Sequence, residues 1–204
     1  ERSQSVYETL FAQQGLRFER QNSRITVQGP LHGGKIVLDG NVSSQFITGL
    51  LFSLPLLPED SRIEILPPFQ SRGYVDLTLD TLRQFGVQAA FDGEYSLVIP
   101  SGQCYQARDA VVEGDYSQAA FFAVLSALRG GIRLANLRRD SLQGDKAIFP
   151  ILASFGSQTR WTEYTAEILP ARLTGQRIDV SNCPDLAPIL SVLGLYSEGT
   201  TVLC

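Results

Sequence analysis

The sequence predicts an α/β fold made of a unit that occurs three times, with one helix of each unit inside and sheets outside it. Three observations predict this. Segments of similar pattern recur at a spacing of about 70 residues. A glycine stands at the same place in each of them, at positions 15, 86 and 156. Each unit also holds a helical stretch that is apolar nearly all round, the mark of a buried helix.

The first unit runs Leu10-Phe11-Ala12-Gln13-Gln14-Gly15, then residues 24–27 and 35–39. The second runs Leu82-Arg83-Gln84-Phe85-Gly86, then 96–99 and 110–113, and the third Leu152-Ala153-Ser154-Phe155-Gly156, then 166–169 and 177–180. Glycine placed here reads as the residue that stops a helix. Val75, Leu79, Leu82 and Phe85 recur at three- and four-residue steps and give the helix before Gly86 one apolar face. The short segments after each glycine are rich in β-branched residues and read as strands. The second helices hold Phe46, Ile47, Leu50 and Leu51; Ala119 to Leu125; and Leu186, Ile189, Leu190, Val192 and Leu193. Residues 62–66, 132–135 and 200–203 read as the closing strands.

With 204 residues, 44% hydrophobic and 19% charged, the composition is globular and sufficient for one or two cores. The net charge is −4 and no Lys/Arg run occurs, which argues against a nucleic-acid partner. Cys104, Cys183 and Cys204 form no C-x-x-C pair and His32 is the one histidine, so no metal site is expected. The odd thiol count suits a reducing, cytoplasmic compartment, with the cysteines as small packing residues. The longest apolar run, 46–57, is broken by Ser53 and Pro55 and is too short for a bilayer, so no membrane partner is expected. No signal peptide is visible. The chain contains no Met, and residues 200–204 end on a strand pattern; both lead us to expect an internal segment of a longer polypeptide.

The loops that enter the apolar helices are small and polar: Asp39-Gly40-Asn41-Val42-Ser43-Ser44-Gln45, Glu113-Gly114-Asp115-Tyr116-Ser117-Gln118, and Ser181-Asn182-Cys183-Pro184-Asp185. Unpaired N–H groups and a partial positive charge at helix N-termini suit phosphate or carboxylate. Capping accounts for each loop taken alone. Ser43-Ser44-Gln45 is richer than capping requires, since one side chain caps and two donors are left over. Asp185 follows Pro184 at a helix entrance, where a carboxylate is favoured anyway; capping and proton transfer are both open for it. His32 reads as a solvated loop residue, Trp161 as a half-buried strand residue, and Arg72 and Tyr74 as surface residues after the Pro67-Pro68 break.

In order and spacing these motifs resemble those of the 5-enolpyruvylshikimate-3-phosphate synthase family. The segment 39–46 resembles its shikimate-phosphate-binding segment, and Ser71-Arg72-Gly73-Tyr74-Val75-Asp76 its second substrate segment. Residues 112–117 resemble the crossover between its domains, and Ser141-Leu142-Gln143-Gly144-Asp145 and Pro184-Asp185 follow in register. The resemblance implies an enolpyruvyl-transferase-like α/β fold: repeats of a βαβαββ unit with buried parallel helices and outer sheets. It places 1–115 in the domain that binds shikimate phosphate and 116–204 in the second domain.

The implied reaction joins phosphoenolpyruvate to the 5-hydroxyl of shikimate 3-phosphate and releases phosphate, in aromatic amino-acid biosynthesis, with no cofactor or metal, in a cytoplasmic monomer. Carried over, Ser43, Ser44 and Gln45 hold shikimate phosphate, Ser71 and Tyr74 contact its phosphate end, Arg2 binds phosphoenolpyruvate, and Asp185 handles the hydroxyl proton. Gly73 stands where the family has proline, and Asn41 where serine is common. The family's other cationic segments fall outside these residues, so the expectation is a fragment inactive by itself. Two alternatives remain: UDP-N-acetylglucosamine enolpyruvyl transferase, which resembles the same fold, and a non-catalytic α/β-repeat module.

Overall fold

The computed structural model describes residues 4–41, 43–69 and 72–204. The chain divides into two compact units, Glu1–Arg108 and Asp109–Cys204. In the first, helix α1 (Ser5–Gln13) leads to a hairpin of β1 (Arg17–Gln21) and β2 (Arg24–Gln28). Then come β3 (Gly34–Asp39), α2 (Ser44–Ser53), β4 (Ser61–Leu66), α3 (Arg72–Gln84), β5 (Ala90–Phe91) and β6 (Ser96–Ile99). The sheet order is β3-β4-β6-β5, with β3 and β4 parallel and the other pairs antiparallel. A parallel pair needs a crossover, and α2 supplies it. Along β4, Ser61, Ile63 and Ile65 face inward at the two-residue period of a strand. Ile63 and Ile65 meet Ile47, Leu50 and Leu51 of α2 and Val75 and Leu82 of α3 in one core.

The second unit holds α4 (Tyr116–Arg129), β7 (Arg133–Ala135), α5 (Ile148–Ser154), β8 (Gln158–Trp161), β9 (Thr165–Leu169), β10 (Arg177–Ile178), α6 (Ala187–Leu195) and β11 (Val202–Leu203). Strands β7-β9-β8 form an antiparallel sheet, and β10 and β11 a parallel pair spanned by α6. Asp115 caps α4: its Oδ1 accepts from Ser117 N at 2.8 Å and Gln118 N at 3.2 Å. Ser126, fully buried on α4, donates to Ile168 C=O at 2.7 Å and fastens the helix to β9.

The three glycines end their helices in one way. Gly15, Gly86 and Gly156 have φ of 69°, 80° and 108°. Each donates to the carbonyl three residues back (Ala12, Arg83, Ala153), and the next residue donates five back: Leu16 to Phe11, Val87 to Leu82, Ser157 to Leu152. This is the Schellman arrangement, which satisfies carbonyls that a helix end leaves unpaired. The repeat read in the sequence is therefore a repeat of backbone geometry.

Three expectations need correction. Residues 110–113 do not form a strand; Val111 and Val112 are 92% and 84% exposed, and the edge of β7 opposite β9 has no strand partner among the described residues. The segment is tied to this edge only at Asn136, by Gly114 N–H to Asn136 C=O at 2.6 Å and by the Asn136 side chain to Val112 C=O at 3.3 Å, where a strand would need a ladder of main-chain bonds. The apolar helices are not buried all round. On α4 the alanines at 119, 120, 123 and 127 face the core, while Phe121, Phe122 and Leu125 point outward; Val192 and Leu195 do so on α6. Each helix packs on one side only within the described residues. Of the cysteines only Cys183 packs; Cys104 and Cys204 are exposed. Trp161 is half-buried, against Phe149 at 4.6 Å. No helix of the described residues is long and apolar enough to cross a membrane.

Two outcomes follow from this geometry. A Cβ at Gly15 would meet nothing within 4 Å, so Gly15→Ala costs only its left-handed conformation. Urea unfolding should show the first unit destabilised by about 1 kcal/mol; an equally stable variant would contradict the helix-end geometry. Tyr116 is fully buried and donates to Arg138 C=O at 2.5 Å. Burial, then the charges of Glu113 and Asp140, push its phenol from 10.0 up to about 12. The folded state thus holds this proton more tightly than the unfolded state. Its contribution to stability is complete below the unfolded value and is lost as pH rises through the folded one. Tyr116→Phe should flatten the stability loss of the second unit across that alkaline window, and an unchanged pH slope would refute the assignment.

Candidate functional site

The first candidate site lies at the N-terminal ends of α2 and α3. Gly40, just past β3, donates its N–H to Leu66 C=O at the end of β4, at 2.7 Å. A Cβ on Gly40 would lie 2.6 Å from that same oxygen, so only glycine lets the loop come this close. The loop is thereby closed onto the strand that follows the helix. Ser43 is the N-cap of α2, and its Oγ accepts from Gln45 N at 3.4 Å. Ser44 is buried, while Gln45 is exposed. No acidic residue occupies the first turn of α2, so the partial positive charge there is not offset from within the helix.

Helix α3 brings Tyr74 to the same region. Thr48 of α2 and Thr78 of α3 share a hydrogen bond of 2.9 Å, and Thr78 also donates to Tyr74 C=O at 2.8 Å. Ser44 and Tyr74 each stand one turn before these threonines. Ser44 and Tyr74 therefore each lie about one 5.4 Å turn from the shared bond. Tyr74 is half-buried there. Arg72, at the start of α3, lies 4.0 Å over the Phe91 ring, donates to Glu94 C=O at 3.1 Å and faces Asp76 at 3.8 Å. It is an anchored residue rather than a simple surface one. Neither first turn carries a carboxylate, and Asp76 in the next turn of α3 faces Arg72. Arg2 and Ser71 lie outside the described residues.

Asp185 sits in the second unit, in a 3-10 turn, Pro184–Leu186, that leads into α6. The N-cap of that turn is Cys183, whose side chain makes no cap hydrogen bond. Asp185 is exposed, whereas Cys183 beside it is buried. An exposed carboxylate can accept a proton from a hydroxyl within hydrogen-bond reach. The sequence reading missed the Thr48–Thr78 link and the close approach at Gly40. A threonine on an otherwise apolar helix face was the available signal for the first. His32 is exposed, with its main chain held by Gln14 through bonds of 2.9 Å. Among the described residues no group of three His, Cys, Asp or Glu side chains could hold a metal ion.

Comparison with known proteins gives this geometry a family. A 3-phosphoshikimate 1-carboxyvinyltransferase of Clostridium novyi is 43% identical over 198 residues, covering 96% of this chain and 46% of that protein. Its Clostridium kluyveri counterpart is 43% identical over 203 residues, covering 98% and 48%. The chain spans about half the length of the curated relatives it matches. Among solved structures, an EPSP synthase from Acinetobacter baumannii superposes with a TM-score of 0.73 at 19% identity, covering 99% of this chain and 48% of that one. The enolpyruvyl transferase NikO from Streptomyces tendae does so with 0.75 at 15%, covering 100% and 51%. At these identities the two structures establish the fold, α/β with the layering of enolpyruvyl transferases. The family model for EPSP synthase (3-phosphoshikimate 1-carboxyvinyltransferase) matches residues 11–204, and the chain belongs to that family.

Proposed function

We propose that the protein is an enolpyruvyl transferase that joins phosphoenolpyruvate to the 5-hydroxyl of shikimate 3-phosphate. The observation that carries this reading is the α2 entrance, Ser43-Ser44-Gln45, with no acidic residue in its first turn and with α2 linked to α3 near Tyr74, in a chain of this family. The relatives named above carry the shikimate-phosphate activity in their names, not a nucleotide-sugar one. In this reading residues 1–115 belong to the shikimate-phosphate domain and 116–204 to its companion. Ser43, Ser44, Gln45, Ser71 and Tyr74 hold shikimate 3-phosphate, and Arg2 binds phosphoenolpyruvate through charge-assisted hydrogen bonds. The protein acts as a cytoplasmic monomer without cofactor.

The chemistry is addition followed by elimination. The 5-hydroxyl oxygen bonds to the enol carbon, the methylene gains a proton, and Asp185 takes the hydroxyl proton. The tetrahedral adduct then loses phosphate from that carbon and a proton from the methyl group, leaving the enolpyruvyl ether. Donors fixed around developing charge typically contribute about 3–4 kcal/mol each. Because these residues span about half of their relatives, full turnover belongs to the whole polypeptide, and the 204 residues alone should not turn over.

Two substitutions in the whole protein test the reading. Asp185→Asn should fold normally, since the position is exposed and Asn matches Asp in size, bind both substrates and lose about two decades or more of turnover. Near-normal turnover would remove Asp185 as the proton acceptor. Gly40→Ala places a Cβ against Leu66 C=O and must displace the α2 entrance. It should raise the KM for shikimate 3-phosphate by about tenfold or more; an unchanged KM would separate this entrance from the substrate.

A further inference from the structure

The segment Gln143-Gly144-Asp145 has no role in the reaction as written, yet it reaches three parts of the second unit. The Gln143 carboxamide accepts from Tyr116 N at 2.9 Å and donates to Gly114 C=O at 2.9 Å and Glu113 Oε1 at 3.0 Å. It thus grips the loop that enters α4. Two residues on, the Asp145 carboxylate accepts from Ser117 Oγ in the first turn of α4. Gly144, between them, packs backbone to backbone on the third part: a Cβ there would lie 2.8 Å from Asn182 C=O. Asn182 precedes Cys183, and Asp185 follows two residues later.

Asp145 is only 1% exposed. A carboxylate at that depth loses its hydration, and an apolar or amide side chain of similar size usually serves stability as well or better. Stability therefore gives no reason for a carboxylate here. Its charge also reaches the helix entrance that bears Asp185. Burial pushes the Cys183 thiol up, and the carboxylates of Asp145 and Asp179 push it further.

We propose that Gln143, Gly144 and Asp145 form a clip that positions Asp185, with Gln143 and Asp145 fastened to the α4 entrance and Gly144 seating the 182–186 segment. The proposal rests on the reading of Asp185 as proton acceptor. Asp145 is a positioning residue in it: no reacting atom need touch it. The clip works because a hydroxyl-to-carboxylate proton transfer is sensitive to displacements of about 1 Å, which can cost about a hundredfold in rate.

Cys183, 4% exposed, is a built-in reporter of the clip. With Cys104→Ser and Cys204→Ser in this chain, it is the remaining thiol, and its labelling by an aromatic disulfide reports opening of the segment. Ser117→Ala and Asp145→Asn should each speed labelling by about tenfold or more. Ser126→Ala, which loosens α4 elsewhere in the same unit, serves as the control for general destabilisation. Rates unchanged by Ser117→Ala and Asp145→Asn, or no greater than the control at equal loss of stability, would overturn the clip. In the whole protein, Asp145→Asn should lower kcat about tenfold or more with each KM within about threefold. Combined with Asp185→Asn it should add no further loss, as expected of residues acting as one unit. A KM effect with unchanged kcat, or losses that multiply, would overturn the positioning role. If Asp145→Asn unfolds the protein, Ser117→Ala decides by the same criteria. Normal turnover in Asp185→Asn alone would instead refute the reading of Asp185, while the labelling result still stands or falls by itself.

Discussion

The architecture depends on a backbone bond that closes each helix-entry loop onto the following strand, and in two of the three repeats only glycine permits it. Gly40 N–H meets Leu66 C=O at 2.7 Å, and Gly114 N–H meets Asn136 C=O at 2.6 Å. In each case a Cβ would lie within 2.8 Å of the accepting oxygen. Each bond closes the loop before a helix onto the strand after it. In the third repeat Val180 N–H meets Cys204 C=O at 2.9 Å and makes the same closure without glycine. The helix N-terminus is thereby held beside the end of a strand; at α4 its first N–H groups are taken up by Gln143 and Asp115, and at α2 the Gln45 N–H is taken up by Ser43.

The closures set up two different entrances. At α2 the first turn holds hydroxyl and amide side chains and no carboxylate, which suits a bound phosphate. At the turn before α6 the cap position falls to Cys183, and the first turn holds a carboxylate, Asp185. The polar groups behind these entrances are arranged as networks rather than as single bonds. Ser141 Oγ donates to Glu113 Oε1 at 2.8 Å, Lys146 donates to Ser141 C=O at 2.6 Å, and Tyr116 donates to Arg138 C=O. Such networks hold geometry tightly when their members are paired, and each member's loss leaves a desolvated partner behind.

Much of this was legible in the sequence, for physical reasons that differ by element. Gly15, Gly86 and Gly156 could be read as helix ends because left-handed backbone selects glycine. The strands of the first sheet could be read from alternation, since one face is buried. The segment 110–113 was misread because β-propensity is a property of context: Val111 and Val112 suit a strand, but the segment meets its neighbour only through single bonds at Asn136 and leaves both valines exposed. The outward faces of α4 and α6 were misread for a related reason. An apolar side chain shows what a helix can bury, and the neighbours decide what it does bury. At the candidate sites, Ser43 as a cap was legible from residue type. The role of Gln143 was not, because its partners lie 27 to 30 residues away and are chiefly main-chain groups.

The central claim is that the α2 entrance is built for the phosphate-bearing substrate. Titrating the 204-residue chain with shikimate 3-phosphate, and following backbone amide shifts by NMR, tests it most directly. The account predicts shifts concentrated at Ser43, Ser44, Gln45 and Phe46, with Tyr74 next, even where binding is weak. Shifts confined to residues 177–195, with the α2 entrance silent, would contradict it.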